Sequence, residues 1–326
     1  MRKRAFWLGA SADVRALGQG MSGSLIADNL LRPFQLERSA LRGRVVRLGA
    51  LVDRVLTRHD YPEPVGRLLG ELFVLAATLA GGLKFNGTFS LQIRSDGPVS
   101  LMLADCTNEG AMRGYARYDE AGVARAAAAD VPALLGHGRL AFTVDQNQLG
   151  QAYQGIVELE GPTLTDCMQT YFRQSEQLKT GLKIAVDRVA HGEGARWRAG
   201  GIMIQRLADE ARDDSSEERA LEDWRRTMLL LGTATAAELV DPHLAPERLL
   251  LHLFHEEGVR VFTPLDLRFG CRCSRQRVET MLRRFPEQDL DEMKDEDGDV
   301  VVTCQFCNVD FRFDDAQLAR LHGQLH

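Results

Sequence analysis

Apolar residues alternating on either side of hairpin turns, helices set between those pairs, and four cysteines crowded into the tail predict an α+β chain. The expected architecture is an antiparallel-sheet core domain, a helical linker and a small C-terminal zinc-binding domain. A length of 326 residues suits about two domains, at roughly 150 residues each. With 44% hydrophobic and 26% charged residues, the composition is that of a chain with a sizeable core. It excludes wholly disordered, collagenous and polytopic membrane classes.

Residues 1–27 are read as an N-terminal extension. Met1-Arg-Lys-Arg4, the apolar residues 5–12 and the small-residue site Ala10-Ser-Ala12 loosely mimic a signal peptide. The apolar stretch of about eight residues, broken by Gly9 and Ser11, stands at the floor for an export signal. A ragged extension is the better reading, with Met21 as an alternative start.

The core domain is expected over residues 28–208. Residues 44–48 read as a short strand. Pro64 opens a helix whose apolar positions Val65, Leu68, Leu69, Leu72, Phe73, Ala76, Leu79 and Ala80 keep the 3.6-residue period until Gly81-Gly82 stop it. Phe89, Leu91 and Ile93 alternate, Asp96-Gly97 turns the chain, and Val99, Leu101 and Leu103 alternate back. A second antiparallel pair is carried by Leu140, Phe142 and Val144 and by Tyr153, Gly155, Val157 and Leu159. Residues 163–177 read as a helix capped by Thr163-x-x-Asp166. Strand-like Leu182, Ile184 and Val186, then Ile202 and Ile204, close the domain. Cys106 and Cys167 fall in apolar or helical contexts and read as small buried hydrophobes. The most apolar stretch, residues 72–83, is broken by glycines and falls short of the roughly 20 residues of a membrane span.

A charged, metastable helical linker is expected over residues 209–264. Twelve of the 18 residues from 209 to 226 are charged. Helices are expected at 217–231, 235–240 and 247–257, punctuated by Gly232, Asp241-Pro242 and Pro246. Their apolar faces cannot be buried within so small a segment and must pack on the core domain or on a partner. Trp224, Met228 and Leu231 form a stripe that reads first as packing and second as a candidate client-binding surface. His252-x-x-His255 lacks the central Glu of the H-E-x-x-H zinc motif and is left unassigned.

Residues 265–326 form a third unit, with a helix over 274–285, an acidic loop, a strand pair between 300 and 313 and a last helix from Asp314. A unit of roughly 60 residues rarely holds itself together without a staple. Cys271-Arg-Cys273 and Cys304-Gln-Phe-Cys307, 30 residues apart, supply one. C-x-x-C is the turn geometry that aims two sulfurs at one metal, and four thiolates favour a closed tetrahedral Zn²⁺ site. One zinc per chain is expected, with Cys271, Cys273, Cys304 and Cys307 as ligands. Structural zinc contributes roughly 10–16 kcal/mol in small zinc peptides, comparable with the stability of a whole domain, so the unit should fold with metal and unfold without it. Zinc-bound thiolates stay deprotonated and open to oxidation, so such a site can act as a switch, although most zinc ribbons are inert structure.

The charge has an address. Residues 289–299 hold seven acids (Asp289, Asp291, Glu292, Asp295, Glu296, Asp297, Asp299) and one base, Lys294, which accounts for the whole formal net charge of -6. Arg272, Arg275, Arg277, Arg283 and Arg284 are expected to offset it together with the anionic metal site.

These residues carry a resemblance. Arg32-Pro-Phe-Gln-Leu-Glu37, Leu83-Lys-Phe85, Gly87-Thr-Phe-Ser-Leu91, Ser95-Asp-Gly-Pro-Val99, Ala104-Asp-Cys106, Tyr171-Phe-Arg-Gln-Ser-Glu-Gln177 and the two cysteine pairs resemble, in order, the 33 kDa chaperonin family of redox-regulated bacterial heat-shock chaperones. The resemblance runs from about residue 28 to the end and leaves the first 27 residues outside it. It implies a cytoplasmic, ATP-independent holdase and no enzyme. In the reduced, zinc-bound state such a chain is an inactive monomer. Oxidation is implied to join Cys271 to Cys273 and Cys304 to Cys307, release zinc, unfold the linker and expose surface to unfolding clients, with dimerisation. Neither nucleic acid nor membrane is implied as a partner.

Two other classes compete. A nucleic-acid-binding zinc-ribbon protein would carry a basic footprint, whereas residues 271–326 hold 8 bases and 12 acids. A thiol oxidoreductase using Cys304-x-x-Cys307 would need a βαβ setting that the pattern lacks. No phosphate-cradling glycine loop supports ATP use.

Overall fold

The computed structural model describes residues 11–13, 28–39, 41–126, 130–146, 152–174, 178–206 and 214–323. The chain divides into two compact units, residues 1–269 and 270–326. The expected start of the metal unit at residue 265 therefore differs from the observed division. Leu265–Asp266 and Arg268–Phe269 are short strands that pair with strands of the first unit, and that pairing draws them into it.

Within the first unit, one sheet runs in the order β1 (Ser11–Asp13), β11 (Val259–Phe262), β2 (Asn29–Leu36), β3 (Leu41–Leu48), β10 (Gly194–Gln205), β9 (Thr180–His191), with β12 (Leu265–Asp266) also on β2. The second sheet runs β13 (Arg268–Phe269), β6 (Ala111–Tyr118), β5 (Val99–Thr107), β4 (Gly87–Ser95), β7 (Gly138–Gln146), β8 (Ala152–Glu158). All pairings in both sheets are antiparallel except β13 with β6. The fold is thus α+β with antiparallel sheets. Both expected hairpin pairs are present, β4 with β5 and β7 with β8.

The helix expected from Pro64 spans Glu63–Ala80 and ends with Gly81 as its cap. Residues on every side of it are buried, including Val65, Leu69, Leu72, Phe73, Val74, Leu75 and Ala76. Gly66 and Gly70 let it approach Trp197 and Val186, where a Cβ would meet the side chain at 3.0 and 2.6 Å. This helix anchors the main apolar cluster, which takes residues from both sheets and from the helix Leu164–Gln174. Thr163 caps that last helix, accepting from the amide of Asp166 at 3.1 Å. The expected extension to 177 lies outside the described residues.

Several elements escaped the sequence pattern. β2 contains Pro33, which argues against an interior strand. The neighbour on its far side is interrupted there: β11 pairs with residues 34–36 and β12 with 30–31, and Arg32 donates to the carbonyl of Phe262 at 3.1 Å. The helix Ala50–Arg58 was not expected. Residues 289–292, the start of the acidic window, belong to a short helix, Glu287–Glu292.

The linker helices are Asp214–Thr233, Ala236–Val240 and Pro246–Phe254. The first passes through Gly232, which the sequence had marked as a break. Thr235 opens the second with a reciprocal capping box to Glu238. Their apolar faces cover one face of the larger sheet: Leu231, Leu239, Val240, Leu249, Leu250, Leu253 and Phe254 cluster with Phe34, Val45, Ile202 and Ile204. Of the two covers the sequence left open, the core domain is the one found. Among the described residues, no helix is long and apolar enough to cross a membrane.

Candidate metal centre

The two cysteine arms are positioned by different means. Cys304 and Cys307 sit between β14 (Val300–Thr303) and β15 (Asp310–Phe313), a two-stranded sheet. Cys304 accepts from the amides of Cys307 at 3.3 Å and Asn308 at 2.8 Å, and its own amide donates to Val309 at 3.0 Å. Asn308 adopts φ +52°, a left-handed conformation that asparagine tolerates better than most residues. Cys271 and Cys273 precede the helix Arg275–Leu282, whose N-cap Ser274 accepts from the amide of Arg277 at 3.3 Å. Arg277 also donates to the carbonyl of Arg272 at 2.6 Å, which fixes the backbone between the two sulfurs.

These arms bring the four predicted sulfurs together. The Sγ atoms of Cys271 and Cys273 are 3.3 Å apart, Cys271 and Cys304 3.7 Å, and Cys273 and Cys307 3.4 Å. All four lie within 4.8 Å of one another. A tetrahedron of sulfurs at about 2.3 Å from a zinc ion has edges of about 3.8 Å, whereas a disulfide needs about 2.05 Å. The spacing fits a metal, and none of the four cysteines is in a disulfide. The protonation balance points the same way. Burial opposes a thiolate at Cys271, yet the amide of Cys273 and the thiols of Cys273, Cys304 and Cys307 outweigh it and hold its pKa below that of an ordinary thiol. Burial raises both Cys273 and Cys307; the neighbouring sulfurs raise Cys273 further, whereas at Cys307 the Cys273 thiol lowers and the Cys304 and Cys271 sulfurs raise. Thiolates packed this closely repel one another, and a divalent cation offsets that repulsion.

Among the described residues, the buried apolar cluster of this unit is Leu282, Leu290, Val300, Phe313, Leu318 and Leu321, with Val278, Phe285, Val302 and Phe311 packed against it. Arg275 stacks on Phe313 at 4.3 Å and pairs with Glu279 at 3.4 Å. The arginines expected to offset the acidic window are thus partly engaged elsewhere, Arg275 on the small core and Arg277 on a backbone carbonyl. Lys294 and Arg312 meet the acids instead. Lys294 bridges Asp291 and Asp315, each at 2.6 Å, and Arg312 reaches Asp295 at 3.1 Å and Asp299 at 3.8 Å. The window is pinned to β15 and to the final helix, Asp315–Gly323.

Other candidates fall into place. Cys106 and Cys167 are buried, and burial first, then Asp105 or Asp166 respectively, raises their thiols to about 12 and about 11. His252 and His255 are exposed and join no metal-holding cluster among the described residues. Leu231 is 4% exposed, and Trp224 and Met228 are half-buried against the same cluster. In the resting chain the stripe is packing, while its neighbour Leu229 stands 75% exposed. The sequence reading missed the sheet residues that hold the linker: Arg47, Lys183 and Arg198 donate to its carbonyls. Their acceptors lie 42 to 197 residues away in sequence, so no local pattern marks them.

The fold and the site define a two-unit chain: an α+β body covered on one sheet by helices, then a small module built on four convergent cysteines. The Hsp33 protein family profile matches residues 28–314. The 33 kDa chaperonin of Caulobacter vibrioides is 41% identical over 294 residues, covering 89% of this chain and 96% of that protein. The 33 kDa chaperonin of Azotobacter vinelandii is 42% identical over 290 residues, covering 88% and 92%. The crystal structure of the 33 kDa chaperonin from Thermotoga maritima superposes with a TM-score of 0.71 at 21% identity, covering 91% of this chain and 98% of that one. The chain belongs to the Hsp33 family of chaperones.

Proposed function

We propose that this chain is a redox-regulated, ATP-independent holdase of the cytoplasm, in which Cys271, Cys273, Cys304 and Cys307 hold one Zn²⁺ in the reduced state. The observation that carries the reading is the convergence of four thiols, none in a disulfide, within 4.8 Å in a unit whose buried apolar cluster is small among the described residues. Bound zinc would supply the positive charge that keeps four thiolates together. Peroxide oxidises two pairs of sulfurs, two electrons leaving each pair, with one peroxide reduced to two waters per disulfide formed. Disulfide sulfurs are poor ligands, so the module loses its staple. The pairing implied by the family is Cys271 with Cys273 and Cys304 with Cys307. The 3.3 and 3.4 Å separations put Cys273 equally close to Cys271 and Cys307, so peptide mapping of the oxidised chain is the measurement that assigns it.

Loss of the module then loosens the linker, and the apolar faces of linker and sheet become client-binding surface, with Trp224, Met228 and Leu231 among the residues released. The reduced chain is a monomer and the oxidised chain a homodimer. Unfolding proteins are its partners, not nucleic acid or membrane. A metastable linker accords with its composition, since its charges keep an unfolded segment soluble. The test is Cys271→Ser with Cys304→Ser. The double variant should hold no zinc and lose the response of aggregation suppression to peroxide. A response equal to wild type sinks the reading.

A further inference from the structure

Lys183, Arg198 and Arg47 lie on adjacent strands β9, β10 and β3, on the sheet face that the linker covers. Register places Lys183 opposite Ile202 and Arg47 opposite Gly200, and Ile202 belongs to the buried cluster under the linker. Each of the three donates to main-chain carbonyls at the C-terminal end of a linker helix or in the turn that follows. Lys183 reaches Gly232 at 2.6 Å, near the end of Asp214–Thr233. Arg198 reaches Val240 at 2.7 Å, the last residue of Ala236–Val240, while its other nitrogens pair with Asp28. Arg47 reaches Glu238 at 2.7 Å, Asp241 at 2.7 Å and Leu244 at 3.2 Å.

The chemistry is that of helix C-termini. The last carbonyls of a helix have no partner within it and carry the negative end of its dipole, so cations placed there both satisfy and attract them. An independent feature marks the same spot. Gly200 lies inside a strand, where glycine costs stability and signals close approach of another backbone. A Cβ built on it would overlap the carbonyl oxygen of Leu239.

We propose that Lys183, Arg198 and Arg47, with Gly200 as a flat seat between them, form a recognition surface for helix C-termini whose occupant is this chain's own linker, and that they set how readily the linker leaves the sheet. The inference rests on the proposed function only for what release accomplishes. The three cations act as positioning residues, and their acceptors on the linker are backbone oxygens rather than carboxylates.

Hydrogen exchange in the full-length, reduced, zinc-loaded chain tests this without oxidant or client, so it fails separately from the holdase reading. Arg47→Met, Lys183→Met and Gly200→Ala should each speed exchange of the amides of residues 236–240 and 247–254 at least tenfold. Amides of the central helix Glu63–Ala80 should exchange as in wild type. Lys183→Met, the mildest change to the sheet, guards against misfolding of the other two. Unchanged linker exchange in Lys183→Met and Gly200→Ala would overturn the proposal. So would an equal loss of protection in the central helix, which would mean that these residues hold the sheet and not the linker.

Discussion

Glu71 is a half-buried carboxyl on the central helix. Burial raises it from 4.5 to about 7, opposed by Arg67 and aided by Asp166. The folded chain thus holds this proton more tightly than the unfolded one. The stability it contributes is fully present below about pH 4.5 and is lost as pH rises through about 7. Glu71→Gln should leave the melting temperature unchanged near pH 4.5 and raise stability at pH 8, by at most about 3 kcal/mol. Thermal unfolding at the two pH values checks this, and an equal effect at both would contradict it. At this scale the metal-site cysteines were legible because a ligand set declares itself by spacing. Arg47 and Gly200 were not legible. The acceptors of Arg47 stand 191 to 197 residues away in sequence, and no local pattern records them.

Among the elements, the linker helices are the ones on which the proposed regulation rests. Thr227 of the first one is fully buried, and its hydroxyl makes no hydrogen bond among the described residues. An unpaired buried hydroxyl costs about 1–3 kcal/mol, which weakens the hold of that helix on the sheet. Other contacts work against release: Arg226 pairs with Glu257, itself 1% exposed, at 2.7 Å, and Arg32 pairs with Glu247 at 2.7 Å. Replacing Thr227 by Val keeps the volume and removes the unpaired group. It should stabilise the docked linker by about 1 kcal/mol and raise the temperature at which peroxide elicits aggregation suppression. An unchanged or lowered temperature would contradict this reading. Hairpins and periodic helices were readable here because alternation and 3.6-residue spacing are local. The helix Ala50–Arg58 was missed, as was the edge formed by β1 and β11, whose strands are far apart in sequence.

For the whole molecule, stability is divided unequally. The body is held by a large apolar cluster spanning two sheets, and the C-terminal unit by six buried side chains and a metal-binding cluster. Chelation should therefore unfold residues 270–326 and leave the two sheets and the central helix of the body folded. The acidic window that carries the net charge is pinned by Lys294 and Arg312 within that unit, so chelation should also free a strongly acidic segment. The α+β class and its cysteine module were legible from pattern and composition. The covering of the sheet by the linker was legible only as a requirement that something cover it.

The central claim is that oxidation of one four-thiolate site releases metal and creates chaperone activity in the same event. Zinc content and free thiols should be counted on the same samples in which suppression of client aggregation is followed, before and after peroxide at raised temperature. The account predicts a loss of four thiols and one zinc per chain, in step with the gain of suppression, while Cys106 and Cys167 stay reduced. Suppression that appears with zinc and all thiols intact, or zinc loss that brings no suppression, would contradict it.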